Sequence, residues 1–199
     1  MTLEDILNLS LQKGINYAAY RTLVSQLVEQ NSTTGNEKTE ALANYTKLND
    51  KRMKRWDKTV KISEALQQKI IKYPEKLTLL VLTESWCGDA AHIIPVINKI
   101  AVLNPNIELK LVLRDENEGL MNHFLTNGGK AIPKLIAVNQ DKHVEFTYGP
   151  RPKEATQLVN SYKAQHGALT PEFKEDLQHW YNKNKGQAIL EDLEALLEI

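Results

Sequence analysis

Cys87 is the only cysteine of this chain, and it stands in the run Glu84-Ser85-Trp86-Cys87-Gly88-Asp89-Ala90, between an apolar segment and a stretch of helical periodicity. A thiol at the first turn of a helix lies beside N–H groups that have no intrahelical acceptor. Those donors and the helix dipole favour its thiolate. The position therefore predicts a solvent-facing, reactive sulfur. Glu84 and Asp89 flank it, and negative charge near a thiol opposes ionisation, so the helix terminus and the carboxylates pull in opposite directions. The plainer alternative is a buried, inert thiol, because free cysteine is among the most buried residue types.

Other candidate chemistry is thinner. Asp89 and His92 share a helix face and with Cys87 make three mixed ligands, but no zinc spacing accompanies them, and no metal is expected. Cys87 and His92 taken as nucleophile and base lack an orienting third group. Ser85 has no Gly-x-Ser-x-Gly elbow, and Gly128-Gly129 lacks the lysine of a phosphate loop. His123, His143, His166 and His179 are scattered along the chain.

The elements that must position Cys87 are legible on both sides. Leu77-Thr78-Leu79-Leu80-Val81-Leu82 is a short, nearly continuous apolar run, the pattern of a strand covered on both faces. Ile93, Ile94, Val96, Ile97, Ile100 and Ala101 recur at helical spacing, with Pro95 near enough to the start to kink the helix. Further strands are predicted from Lys134 to Val138 and from His143 to Tyr148. Thr2, with Asp5 three residues on, predicts a capped first helix, and Tyr20, Leu23, Val24, Leu27 and Val28 form a helical stripe. Asn31-Ser32-Thr33-Thr34-Gly35-Asn36 reads as a polar loop. A third helix is predicted from Glu37 to Thr59, with Leu42, Tyr45, Met53, Trp56 and Val60 on its apolar face. Ser63 caps the next, which ends before Pro74. Thr170-Pro171 reads as the N-cap and first residue of a helix, and a last helix carries Ile189, Leu190, Leu193, Leu196 and Leu197.

Trp86-Cys87-Gly88-Asp89-Ala90 resembles the Trp-Cys-Gly-Pro-Cys signature of the thioredoxin family, and Pro95 falls where that family has its kinking proline. Gly129-Lys130-Ala131-Ile132-Pro133, leading into Lys134, resembles the family's cis-proline loop; cis bonds are common only before proline, which makes Ile132–Pro133 the candidate. Gly149 is placed like the glycine before the family's last helix. The resemblance implies an α/β, thioredoxin-like fold, a central mixed sheet flanked by helices, over residues 62–167. Helical extensions would then occupy 1–61 and 168–199, the second packed on the domain. It also implies a site with Cys87 as attacking thiol and Trp86, Gly88, Asp89, Ile132 and Pro133 around the substrate.

The departures from the family pattern bear most on function. Ala90 stands at the resolving cysteine, so no internal disulfide can form. The aspartate and lysine that serve that second thiol in thioredoxins are replaced, by register, with Val81 and Leu111. The expected activity is monothiol exchange: Cys87 attacks a disulfide or captures an oxidised thiol, and a low-molecular-weight thiol or a partner protein releases the mixed disulfide, with no cofactor. The alternative is a non-catalytic module that holds an extended peptide in the cis-proline groove by main-chain pairing.

The 25 basic and 25 acidic side chains cancel, so no overall field selects nucleic acid or an anionic membrane, and neither is an expected partner. Met1-Thr2-Leu3-Glu4-Asp5 has neither region of a signal peptide, and no apolar run reaches spanning length. A lone thiol suits a reducing compartment, so a soluble cytoplasmic protein is expected. Charge is uneven: Lys47, Lys51, Arg52, Lys54, Arg55, Lys58 and Lys61 face only Asp50 and Asp57, while the C-terminal helices are acidic. Such stretches are solvated faces unless the two ends lie together or the basic helix meets an acidic partner or RNA.

Overall fold

The computed structural model describes residues 1–199. Four strands form one sheet: β1 (Leu77–Thr83), β2 (Ile107–Leu113), β3 (Lys134–Asn139) and β4 (Val144–Tyr148), in the order β2-β1-β3-β4. β1 runs parallel to β2 and antiparallel to β3, and β3 and β4 are antiparallel. Six of the seven β1 residues are buried, as expected of a strand covered on both faces.

Nine helices surround the sheet: α1 (Leu3–Lys13), α2 (Tyr17–Glu29), α3 (Glu40–Thr59), α4 (Glu64–Lys72), α5 (Gly88–Ala101), α6 (Glu118–His123), α7 (Lys153–His166), α8 (Pro171–Asn184) and α9 (Gln187–Leu196). Local chemistry starts most of them. Thr2, Asn16, Thr39, Ser63 and Thr170 each accept a backbone N–H of the helix that follows, and Thr2 with Asp5 completes a capping box. One apolar cluster runs from Leu7, Val24 and Trp56 through β1 to Leu177, Leu190 and Leu193, so both terminal segments share the core of the sheet. The free side of β2 is closed by the chain itself: Ile15 and Leu111 exchange two main-chain hydrogen bonds, of 3.0 and 2.8 Å. No helix is long and apolar enough to cross a membrane.

Two expectations need correction. α3 begins at Glu40 and not Glu37, because Thr39 takes the capping role. Its inward face is also more polar than the apolar stripe implied: Thr46, Asn49 and Asp50 are buried with Met53 and Trp56, whereas Tyr45 is 52% exposed. The two ends of the chain do meet, yet without ion pairs between the basic stretch and the acidic helices. Asp50 and Asp57 both pair with Arg21, Glu194 pairs with Lys69, and Arg55 reaches α8 only through the amide of Asn182.

Gly149, ahead of α7, has φ +107°, and a Cβ built there would lie 2.2 Å from the carbonyl oxygen of Pro133. Backbone cannot yield as a side-chain tip can. Gly149→Ala should therefore cost about 2–4 kcal/mol and lower Tm by roughly 5–15 °C in a thermal melt. An unchanged Tm would show that the loop yields.

Candidate functional site

Cys87 is the N-cap residue of α5, where β1 turns into the helix. Its thiol does not face solvent. The residue is 8% exposed, and Sγ donates a hydrogen bond to the carbonyl oxygen of Ile132, 3.3 Å away. Burial pushes the Cys87 pKa up to about 12, with Asp89 adding to it, while the backbone N–H groups of Ala90 and Asp89 oppose the rise without reversing it. The expectation of a solvent-facing thiol is thereby overturned. The contest between helix terminus and carboxylates is settled by a third effect, desolvation. Ile132–Pro133 is a cis peptide, as is Gly149–Pro150.

The other motif residues are turned to structural contacts. Asp89 is buried; its Oδ2 pairs with the Arg151 guanidinium at 2.8 Å, and its Oδ1 accepts the hydroxyl of Tyr181 at 2.9 Å. Burial raises its pKa, and Arg151 and Tyr181 pull it back. His92 accepts the indole N–H of Trp56 at Nδ1 (2.7 Å). Indole nitrogen can only donate, so Nδ1 must be bare and Nε2 carries the proton, which it gives to Oε1 of Gln178 at 2.7 Å. Its ring stacks on Tyr181 at 4.3 Å. Burial pushes the His92 pKa down to about 3. With both nitrogens used and the ring neutral, His92 is neither a base for Cys87 nor a free metal ligand. No three His, Cys, Asp or Glu side chains converge as a metal would require.

Ser85 and the polar loop form a hydroxyl cluster that sequence periodicity does not report. Ser85 Oγ lies 2.8 Å from Thr46 Oγ1 and 3.2 Å from Thr33 Oγ1, accepts the N–H of Thr34 at 3.1 Å, and returns its own N–H to Thr34 Oγ1 at 2.8 Å. Asn49 donates to the Ser85 carbonyl at 2.9 Å. Thr33 and Thr34 are thus fully buried rather than loop surface. Glu84 is buried as well, accepting the N–H of Asp115 at 2.9 Å, and burial raises its pKa.

Above this layer a cleft of about 850 Å³ opens between α3 and α8. Trp86, Cys87, Gly88, Asp89 and Ile132 line it together; Pro133 does not, being buried behind, and Pro150 takes its place in the wall. Arg52, Arg151, Gln178 and Tyr181 complete the surroundings of the motif. The only sequence signal for Gln178 and Tyr181 is their i, i+3 spacing on one face of α8.

A mixed sheet with a cysteine at the first turn of a kinked helix, facing a proline loop, defines the thioredoxin-like class. A family model described as Thioredoxin matches residues 35–163, more than half of the chain, and the protein belongs to the thioredoxin family. In fold it is similar to a protein of unknown function from Pseudomonas aeruginosa (TM-score 0.60, 16% identity, covering 78% of this chain and 90% of that one). It is also similar to an HIV epitope-scaffold (TM-score 0.58, 17% identity, covering 92% and 98%).

The neutral state of His92 makes a signed pH dependence. Unfolded, this group takes a proton near its ordinary value of 6.5; folded, it resists to about 3. The unfolded chain therefore binds more protons within that window, and stability falls as pH falls, by up to about 1.4 kcal/mol per pH unit for this group. His92→Phe keeps the stack but cannot titrate. In urea melts the stability advantage of wild type over His92→Phe should shrink between about pH 6.5 and pH 4. A constant advantage would mean that the folded protein protonates His92 normally.

Proposed function

We propose that this protein is a thioredoxin-fold binding module, in which Cys87 is a packing residue and the cleft above it receives a ligand. The observation that carries this reading is the Cys87 thiol itself, buried, bonded to the Ile132 carbonyl and displaced upward in pKa to about 12. Near pH 7 such a thiol is ionised to roughly one part in 10⁵, against about 3% for an unperturbed cysteine, and the thiolate is the nucleophile. Ala90 supplies no second thiol, and the nearby histidine is held neutral by burial, its two ring nitrogens occupied by Trp56 and Gln178. Monothiol exchange is the second reading; what favours it is that Cys87 lies in the lining of the cleft, next to whatever binds there.

Alkylation separates the two. Native protein should react with iodoacetamide slowly, with an apparent pKa at or above the ordinary 8.5, and completely once unfolded. Intact mass after incubation with an oxidised small thiol should show no adduct on the native chain. Titration below the ordinary value, together with an adduct on native protein, would make monothiol exchange the function.

A further inference from the structure

The cleft over Cys87, on which the binding-module reading rests, holds a charge that the chain as a whole does not. The protein is neutral. Yet the cleft is lined by Arg52, Arg114, Lys130, Arg151 and Lys174, against Asp89 and Glu175. Arg114 and Lys130 are paired with Asp115 and Glu118, outside the lining, which leaves Arg52 and Lys174 as the cations without a carboxylate partner. Asp89 is already neutralised by Arg151. Glu175 is largely exposed beside His179. Arg52 is half-buried, its guanidinium meets only the amide oxygen of Asn49 at 2.9 Å, and burial together with Arg55 pushes its pKa down. An incoming anion would relieve that. Lys174 stands exposed on the facing wall without an ion pair.

The distribution of these cations defines the ligand. The two without a carboxylate partner stand on separate helices, Arg52 on α3 and Lys174 on α8. Along α3 the cation is preceded by two exposed apolar residues on the same helix face, Tyr45 (52%) and Leu48 (42%), at spacings of three and four. A volume of about 850 Å³ suits several residues of chain. Nucleic acid is disfavoured because the face of Trp86 is covered by the Arg114 guanidinium, 5.1 Å from its centroid, and Trp56 is buried, which leaves Tyr45 as the only open ring of the three.

We propose that this cleft takes an extended acidic peptide segment of a partner protein, its carboxylates meeting Arg52 and Lys174 and its apolar side chains lying on Tyr45 and Leu48.

The test is fluorescence anisotropy with the full chain and a labelled peptide of about twelve residues alternating Glu with Leu and Phe. The same peptide with Gln in place of Glu, and an oligothymidine of similar length, are compared. The acidic peptide should bind, the Gln peptide should bind at least about tenfold more weakly, and salt should weaken the first more than the second. The double variant Arg52→Glu, Lys174→Glu should lose at least about tenfold in affinity. If the double variant fails to show a native thermal melt, Lys174→Glu alone carries the comparison, since Lys174 is on an exposed face. Equal affinity for the Glu and Gln peptides would overturn the acidic preference and leave the binding-module reading standing. Tighter binding of oligothymidine, lost in the charge reversals, would overturn the peptide. Absence of binding by any probe overturns the proposal; if native Cys87 also takes up an oxidised small thiol, the binding-module reading falls with it.

Discussion

Between β1 and α5 the chain turns through a corner that is both buried and polar. Glu84, Ser85, Asp89 and His92 are each 9% exposed or less, and groups withdrawn from water at that depth cost free energy unless each is given a partner. The sheet cannot supply those partners. They come from Thr33, Thr34, Thr46, Asn49 and Trp56 on one side, from Arg151, Gln178 and Tyr181 on the other, and for Glu84 from the main-chain N–H of Asp115 just after β2. Both ends of the chain are therefore held to the sheet by specific polar demands as well as by apolar burial. The same enclosure decides the state of the sulfur, because the partners that satisfy the corner also dry it. Satisfaction stops short of completeness at Glu84, whose Oε2 has no partner.

The strand beneath tells a consistent story. Val81 and Leu111 are register partners across the parallel β1–β2 pair, and both are fully buried. Dithiol members of the family carry an ionisable pair there by resemblance; here the pair is apolar, and neither residue can take or give a proton. Ala90, also buried, fits the same closed packing.

Much of the fold was legible because the signals that mark it are local. The caps at Thr2, Ser63 and Thr170, the run of β1 and the kinked apolar stripe of α5 each depend on neighbours within a few residues. The motif likewise brought Cys87 and Ile132 together through family resemblance. The failures share one physical cause. Periodicity reports where apolar residues recur, but it does not report a polar residue buried because a distant partner awaits it. Hydrophobicity points Tyr45 inward, yet Thr46 and Asn49 take the interior, and nothing near Cys87 in sequence signals that α3 and α8 enclose it.

The pairings that complete the corner are long in sequence: His92 to Gln178 spans 86 residues and Asp89 to Tyr181 spans 92. The family match ends at residue 163, before either partner has been reached. A nascent chain thus extends by 86 residues beyond His92, and by 92 beyond Asp89, before these two partners exist. Contacts so distant in sequence carry a larger loop-closure cost than the local ones that build the helices. A fragment trimmed to the family boundary would keep all four strands and the Cys87 motif while lacking both Gln178 and Tyr181, so that a corner complete in its sequence signature would be incomplete in its hydrogen bonds.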